Sequence, residues 1–319
     1  MSWPLKVFLA KGPAGEMRVM WQKRRSLIAL LGLALWGVLH TTEGFSSVRD
    51  RVDGCLGLGH GRAESSSTWL GLVGGGGRPV ELLEAFLRHA SRQQQLSPRV
   101  LVVAWASGEP EESFGAIQSE FSKVADRIGM TPVFIPSLTV PRSKGDWENW
   151  SSDLRTAHGV WFTGGDQNRV LDALDSQVGE RAKWLKSYCQ GVAWGGTSAG
   201  TAIHGRWALT GEADLSRVAP DAVELREGTG FLPNIILDQH FLKRTRINRL
   251  LSALLKQWGA TGLGIDEGTG WVLENGYLSR VMGESAVMLV QPCGSFQSVS
   301  WNVELLNPKS HAESNAVSH

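Results

Sequence analysis

The chain carries only three cysteines in 319 residues, Cys55, Cys189 and Cys293. An odd number at wide spacing offers neither a disulfide framework nor the paired spacing of a zinc site. Net charge is also nearly missing, with 32 Lys plus Arg against 31 Asp plus Glu. A general nucleic-acid binder would carry a clear basic excess, so that class is set aside. No uncharged apolar run reaches the roughly 20 residues of a membrane-spanning helix. No internal repeat is visible. Hydrophobic residues at 42% and charged residues at 20% exclude a disordered or collagen-like chain. The length suits one large or two modest folded domains.

The balanced charge hides an asymmetry. Residues 1–25 hold six bases and one acid, while everything from Ser46 onward sums to −3. Directly after Lys23-Arg24-Arg25 comes Leu27 to Leu39, 13 uncharged apolar residues. That length fits the apolar core of an export signal, for which roughly 7–15 residues suffice. The expectation is a periplasmic or secreted protein that meets the membrane only through this segment, if it is retained. In that reading Met17 or Met20 is a candidate true start, with the residues before it as over-extension. The alternatives are a retained membrane anchor or a cytoplasmic protein with an over-extended N-terminus. The domain reading is an extension at 1–45, a linker rich in Gly, Ser and charge at 46–68, a catalytic domain at 69–301 and a loose polar tail at 302–319.

Within the main domain short apolar strands alternate with amphipathic helices. Strands are expected at Trp69 to Val73, Arg99 to Trp105, Pro132 to Ile135, Gly159 to Phe162, Gly191 to Trp194, Ile235 to Leu237, Gly262 to Ile265 and Gly270 to Leu273. Helices are expected from Pro79, then at Phe114 to Ile128, Arg169 to Gln177, Glu180 to Gln190 and Arg246 to Gln257. Continuous apolar strands such as RVLVVAW belong in a sheet covered on both faces. The pattern predicts an α/β fold, a mainly parallel sheet between helical layers. Ligands bind such sheets beyond the carboxyl ends of the strands.

The residues with chemistry stand at those ends. Gly196-Thr197-Ser198-Ala199-Gly200 is a G-x-S-x-G turn between a strand and a helix, which lifts a serine hydroxyl clear of the sheet. The Ala199 N–H would be one oxyanion donor, with a second from the Gly164-Gly165 loop. A phosphate loop is excluded because no lysine follows Gly200, and Gly74 to Gly77 lacks dinucleotide-binding spacing. Of the eight histidines, His40, His60, His311 and His319 lie in the extension, linker or tail; His89 and His158 sit at element edges; His204 is placed on the helix after the turn. His240 ends the strand before Phe241 and is the candidate base. Glu267, after another strand, is the candidate to orient it. The order Ser, His, acid differs from that of the α/β-hydrolases, so a different fold is indicated.

Four motifs together, FTGGDQ (162–167), GGTSAG (195–200), DQHF (238–241) with Arg244, Arg246 and Arg249, and GIDE (264–267), resemble the cyanophycinase family over roughly residues 69–292. That family groups with the aspartyl dipeptidases. The resemblance implies a three-layer αβα sandwich of flavodoxin-like, class I glutamine-amidotransferase-like form. It implies a serine exopeptidase with Ser198 as nucleophile, His240 as acid/base and Glu267 as its partner, which leaves Ala199 and Gly165 as the oxyanion donors read from the turn and the glycine loop. It further implies that Gln167, Asp238, Gln239, Arg244, Arg246 and Arg249 surround an aspartyl-linked peptide, cyanophycin being cut to β-aspartyl-arginine dipeptides. No metal or organic cofactor is needed, and a homodimer is suggested. Thr201 departs from the family pattern, standing where alanine is usual; Gly270 and the residues between the arginines depart as well. Other aspartyl or isoaspartyl peptides, or a silent peptide-binding role, are the alternatives. Most of the 14 tryptophans are read as core.

Overall fold

The computed structural model describes residues 5–11, 17–21, 69–91, 96–175, 191–274, 277–295 and 298–308. The apolar run at 27–39, the linker at 46–68, the expected helix at 180–190, Trp184, and the last residues of the tail lie outside them.

In chain order the elements begin with β1 (Leu5–Lys11), β2 (Met17–Trp21), β3 (Trp69–Val73), α1 (Val80–Ala90), β4 (Arg99–Val103) and α2 (Pro110–Ile128). Next come β5 (Val133–Ser137), α3 (Lys144–Thr156), β6 (Gly159–Phe162), α4 (Gln167–Asp175), β7 (Ala193–Thr197), α5 (Ala199–Ala202), β8 (Gly205–Ala213) and β9 (Val223–Glu227). The rest are β10 (Leu232–Gln239), α6 (Ile247–Lys256), β11 (Thr261–Ile265), β12 (Thr269–Glu274), β13 (Tyr277–Gly283), β14 (Val287–Ser295) and β15 (Ser298–Leu306).

The strands form two sheets. The first runs β13-β12-β3-β7-β6-β4-β5, and its five strands from β3 to β5 are parallel. Because side chains alternate across a strand, each of these strands feeds both faces. Trp69, Val73, Val100 and Val102 pack on one side with Leu82, Leu83 and Phe86 of α1 and Phe121 of α2. Leu70, Leu72, Leu101 and Val103 pack on the other with α3, α4 and the second sheet. This is the α/β layering expected, with both faces of a mainly parallel sheet covered.

The second sheet, β2-β1-β15-β14-β11-β10-β8-β9, was not foreseen as a unit. Its three parallel strands β8, β10 and β11 carry α6 on the outer side, through Leu250, Leu251, Leu254 and Leu255. One boundary needs correction. The polar tail expected from Asn302 is in β15 as far as Leu306, with Trp301 and Leu306 buried; two widely spaced apolar anchors disguise a strand as a polar stretch. Strand β1 joins the same sheet, its Leu5 opposite Val303 of β15.

Helix α3 was also missed. Its signal is a capping box: the Ser143 hydroxyl accepts from the Asp146 N–H at 3.1 Å, and the Asp146 carboxylate accepts from the Ser143 N–H at 2.9 Å. The helix buries Trp147, Trp150 and Leu154, and the first two meet Trp105 edge-on or tilted at 5.8 and 5.1 Å. These tryptophans, with Trp161 and Trp194, are core residues.

His204 lies past the end of the short helix α5, fully buried, stacked on Phe231 at 5.3 Å and edge-on to Phe162 at 5.7 Å. Burial pushes its pKa down from 6.5 to about 3. The unfolded chain therefore takes up the proton first. The stability contributed by the neutral ring is complete above pH 6.5 and is lost as the pH falls from there toward 3, by up to about 1.4 kcal/mol per pH unit. In His204→Phe the acid limb of stability is expected to flatten over that window in urea titrations. An unchanged limb would contradict this assignment.

Candidate active site

Strand β7 runs between β3 and β6 and ends at Thr197, so Ser198 emerges at the carboxyl edge of the first sheet. Its backbone sits at φ 53°, ψ −111°, a conformation that non-glycine residues rarely adopt. The neighbours make it possible. A Cβ at Gly196 would lie 2.3 Å from the Gly200 carbonyl oxygen, and one at Gly200 2.2 Å from that of Phe162. The Ser198 N–H donates to the Val73 carbonyl at 2.9 Å.

Thr201 adds a tie here. Its Oγ1 accepts from the Val73 N–H at 3.0 Å and lies 2.7 Å from the Val73 and 2.9 Å from the Gly196 carbonyl oxygens. The departure from alanine thus joins β3 to the serine turn. Helix α5 is a single turn rather than the longer helix expected, so individual N–H groups rather than an extended dipole are available beside Ser198. Ala199 is fully buried at its start. Gly164 borders the serine, since a Cβ there would lie 3.5 Å from that of Ser198, and Gly165 lines the adjoining cavity.

His240 closes β10 with φ 52°, its N–H donating to the Gly74 carbonyl at 2.8 Å. Two of the chain's three described non-glycine residues at positive φ are therefore Ser198 and His240. Such outliers persist where the surrounding structure holds them. The imidazole Nε2 is 2.7 Å from Ser198 Oγ, and Nδ1 is 2.6 Å from Glu267 Oε1. Glu267 comes from the turn between β11 and β12. Burial holds the His240 pKa below 6.5, opposed by the Glu267 hydrogen bond and reinforced by the positive charge of Arg244. The ring is neutral at pH 7 and able to accept a proton.

The glycine run Gly74 to Gly77, dismissed as a dinucleotide motif, cradles this relay. A Cβ at Gly75, whose φ is +126°, would stand 2.1 Å from His240 Cε1, and one at Gly76 would stand 3.3 Å from Glu267 Cβ. The Gly75 carbonyl accepts from the Gly268 N–H at 2.9 Å. The sequence clue was available: a glycine run at the carboxyl end of a strand beside the elbow strand. Asp266 joins the site as well: its carboxylate accepts from the Lys243 N–H at 2.9 Å and from the Ser285 hydroxyl at 2.7 Å, pinning the loop after His240 to the Glu267 turn.

A cavity of about 560 Å³ opens at Ser198 and His240, within the size range of small-ligand sites. Gln167, Gln239, Arg244, Arg246 and Arg249 line it. Gln167 Nε2 donates to the Leu209 carbonyl at 2.6 Å. Arg246 donates to the Gln239 carbonyl at 2.6 Å; burial and the charge of Arg249 lower its pKa to about 10, so it stays protonated at pH 7. Asp238 is the exception. It is wholly buried, is not part of the lining, and receives the Arg249 guanidinium through Nε at 3.0 Å and through a second bond from Nη2. Its role in the fold is to hold Arg249. Among the described residues no group of three or more His, Cys, Asp and Glu is placed to hold a metal ion.

The chain compares with known proteins as follows. Residues 81–281 match the profile of Peptidase family S51. The cyanophycinase of Nostoc sp. is 29% identical over 233 residues, 72% of this chain and 75% of that protein. The cyanophycinase of Synechococcus elongatus is 30% identical over 225 residues, 69% of this chain and 67% of that protein. That of Geminocystis herdmanii is 33% identical over 211 residues, 66% and 74% respectively. A solved peptidase from an acI-B1 Actinobacterium superposes with a TM-score of 0.53 at 20% identity, over 71% of this chain and 91% of that one, and shares the fold.

Proposed function

The chain belongs to peptidase family S51 and is a serine-type peptidase, and from that premise we propose that it hydrolyses aspartyl-linked peptides, cyanophycin first among them, through an acyl-enzyme on Ser198. The observation that carries this reading is the unbroken relay from Ser198 Oγ through His240 to Glu267, opening on a cavity lined by three arginines. In the first step His240 Nε2 takes the hydroxyl proton as Oγ attacks the peptide carbonyl carbon. The N–H of Ala199 and one from the Gly165 loop receive the oxyanion. As the tetrahedral species collapses, the proton passes from Nε2 to the leaving amine nitrogen. Water then gives a proton to Nε2 and attacks the ester, releasing the acid and restoring Ser198. Glu267 accepts a hydrogen bond from Nδ1–H throughout, fixing the tautomer in which Nε2 is the base. Arginine forks suit the carboxylates of an aspartyl backbone. Export through the 27–39 segment belongs to the same proposal and is read from the N-terminal sequence of the mature protein.

The test is the size of the products released from cyanophycin by the purified protein, compared with its rates on α- and β-aspartyl dipeptides. Release of β-aspartyl-arginine is expected; activity confined to the free dipeptides would move the substrate elsewhere in the family.

Two further outcomes are expected. The acid limb of kcat/KM lies below pH 6.5, because the folded base has a lowered pKa. In Arg244→Met that limb moves up, since a positive charge that disfavours the imidazolium is gone; a limb that stays or moves down in the pH profile would be the wrong sign. Gly75→Ala drives a methyl group into the imidazole, and displacement of the base by about 1 Å costs roughly a hundredfold in kcat. Steady-state kinetics within threefold of the parent would show that the ring is not held there.

A further inference from the structure

Ser198 and His240 stand at φ 53° and 52°, conformations that depend on ties from the surrounding structure. Those ties come from one short segment at the end of β3. The Val73 carbonyl accepts from the Ser198 N–H at 2.9 Å, and the Gly74 carbonyl from the His240 N–H at 2.8 Å. The Gly75 carbonyl accepts from the N–H of Gly268, the residue after Glu267, at 2.9 Å. Consecutive carbonyls of a single segment therefore space the backbones that carry the relay. A shift of this segment against the serine turn would alter the 2.7 Å approach of Ser198 Oγ to the imidazole.

The first residue of the segment is gripped by a side chain that takes no part in the chemistry. Thr201 is fully buried. Its Oγ1 accepts from the Val73 N–H at 3.0 Å, and its single hydroxyl proton goes to the Val73 carbonyl at 2.7 Å or the Gly196 carbonyl at 2.9 Å. The Thr201 N–H meanwhile donates to the Ser198 carbonyl at 2.9 Å. One residue thus holds both the end of β3 and the serine turn. We infer that Thr201 is a positioning residue for the reaction: its hydroxyl locks the 73–75 segment to the serine turn and, through Val73 and Gly74, sets how closely Ser198 meets His240. This rests on Ser198 being the nucleophile, and not on which peptide is cut.

A polar tie and a space-filling role predict opposite orders of damage. If Thr201 only filled space, valine would be the mild replacement and alanine, which leaves a cavity, the severe one. For a polar tie valine is the severe change, because its methyl group faces the Val73 N–H and the two carbonyls and leaves buried groups open. Alanine frees room beside one donor and two acceptors, partners enough for a water molecule to restore part of the tie. That reconciles threonine here with the alanine usual at this position. Serine keeps the hydroxyl itself.

The test is the second-order rate at which a fluorophosphonate modifies Ser198 in the parent, Thr201→Ser, Thr201→Ala and Thr201→Val, each checked for folding by its urea midpoint. This probe reads the nucleophile and its base without any peptide. Thr201→Ser, with the same donor and acceptors, should stay within about threefold of the parent. Thr201→Ala should be slower, and Thr201→Val slowest by at least about tenfold, since a 1 Å displacement of reacting groups costs roughly a hundredfold. Equal rates in all four proteins, or alanine slower than valine, overturn the inference. Should the valine protein not fold, the other two decide: a serine rate about threefold or more above that of alanine supports the tie, the scale of one hydrogen bond, and equal rates overturn it. The same ordered loss of labelling in a protein that hydrolyses no aspartyl peptide would uphold the positioning role and defeat the proposed substrate instead.

Discussion

Ser198→Ala is expected to lower kcat by roughly a millionfold while leaving the fold and substrate affinity in place, the size seen when a relay serine is removed. The Oγ atom is both the attacking group and the partner of His240 at 2.7 Å, and among the described residues it makes no other hydrogen bond that the fold would miss. His240→Ala should cost about as much, because an alcohol without a base is a weak nucleophile at neutral pH. Glu267→Gln should cost on the order of 10⁴-fold, since the ring then loses its preferred tautomer. Combining Ser198→Ala with His240→Ala should add almost nothing to either alone, because the residues act as one unit. Single-turnover and steady-state rates on the peptide substrate measure this. A Ser198→Ala enzyme within tenfold of the parent would remove the serine from the chemistry.

The second large effect is on stability. Asp238 is completely buried, Arg249 nearly so, and the two are joined by a bidentate contact with Arg246 3.7 Å away. Arg249→Met leaves a buried carboxylate without its main partner, which costs about 3–5 kcal/mol. Asp238→Asn strands the guanidinium and should cost a similar amount. The double variant Asp238→Asn with Arg249→Met removes both charges and should recover much of the loss, since a buried pair is worth little relative to a neutral replacement. Urea unfolding midpoints of the four proteins form the cycle. Single variants within 1 kcal/mol of the parent would mean that the pair is hydrated or loosely held.

The first sheet and the relay were legible because their signals are local. Continuous apolar strands such as Arg99–Val103 and Gly159–Phe162 name themselves, and Ser198, His240 and Glu267 each follow such a strand. The glycine turn around Ser198 could be read because its purpose is steric. What escaped depends on pairing over long distance. β8 carries a register slip and exposed residues, so GRWALTGEA shows neither alternation nor an apolar run. β15 buries only Trp301 and Leu306 among residues 301–306, too few to separate it from a polar tail, and β1 finds its partner almost 300 positions away in the chain. Gly75 was misjudged because its function is to be close to His240, a neighbour that only the fold supplies. Asp238 was placed around the substrate by resemblance, whereas its burial assigns it to Arg249.

The measurement closest to the central claim is covalent capture of the hydroxyl at position 198. The intact protein treated with a fluorophosphonate at neutral pH, then digested and analysed by mass spectrometry, should carry one adduct, on Ser198, and the adduct should be lost in His240→Ala. An adduct absent from Ser198, or formed equally well without the imidazole, would contradict the relay from which the proposed reaction is derived.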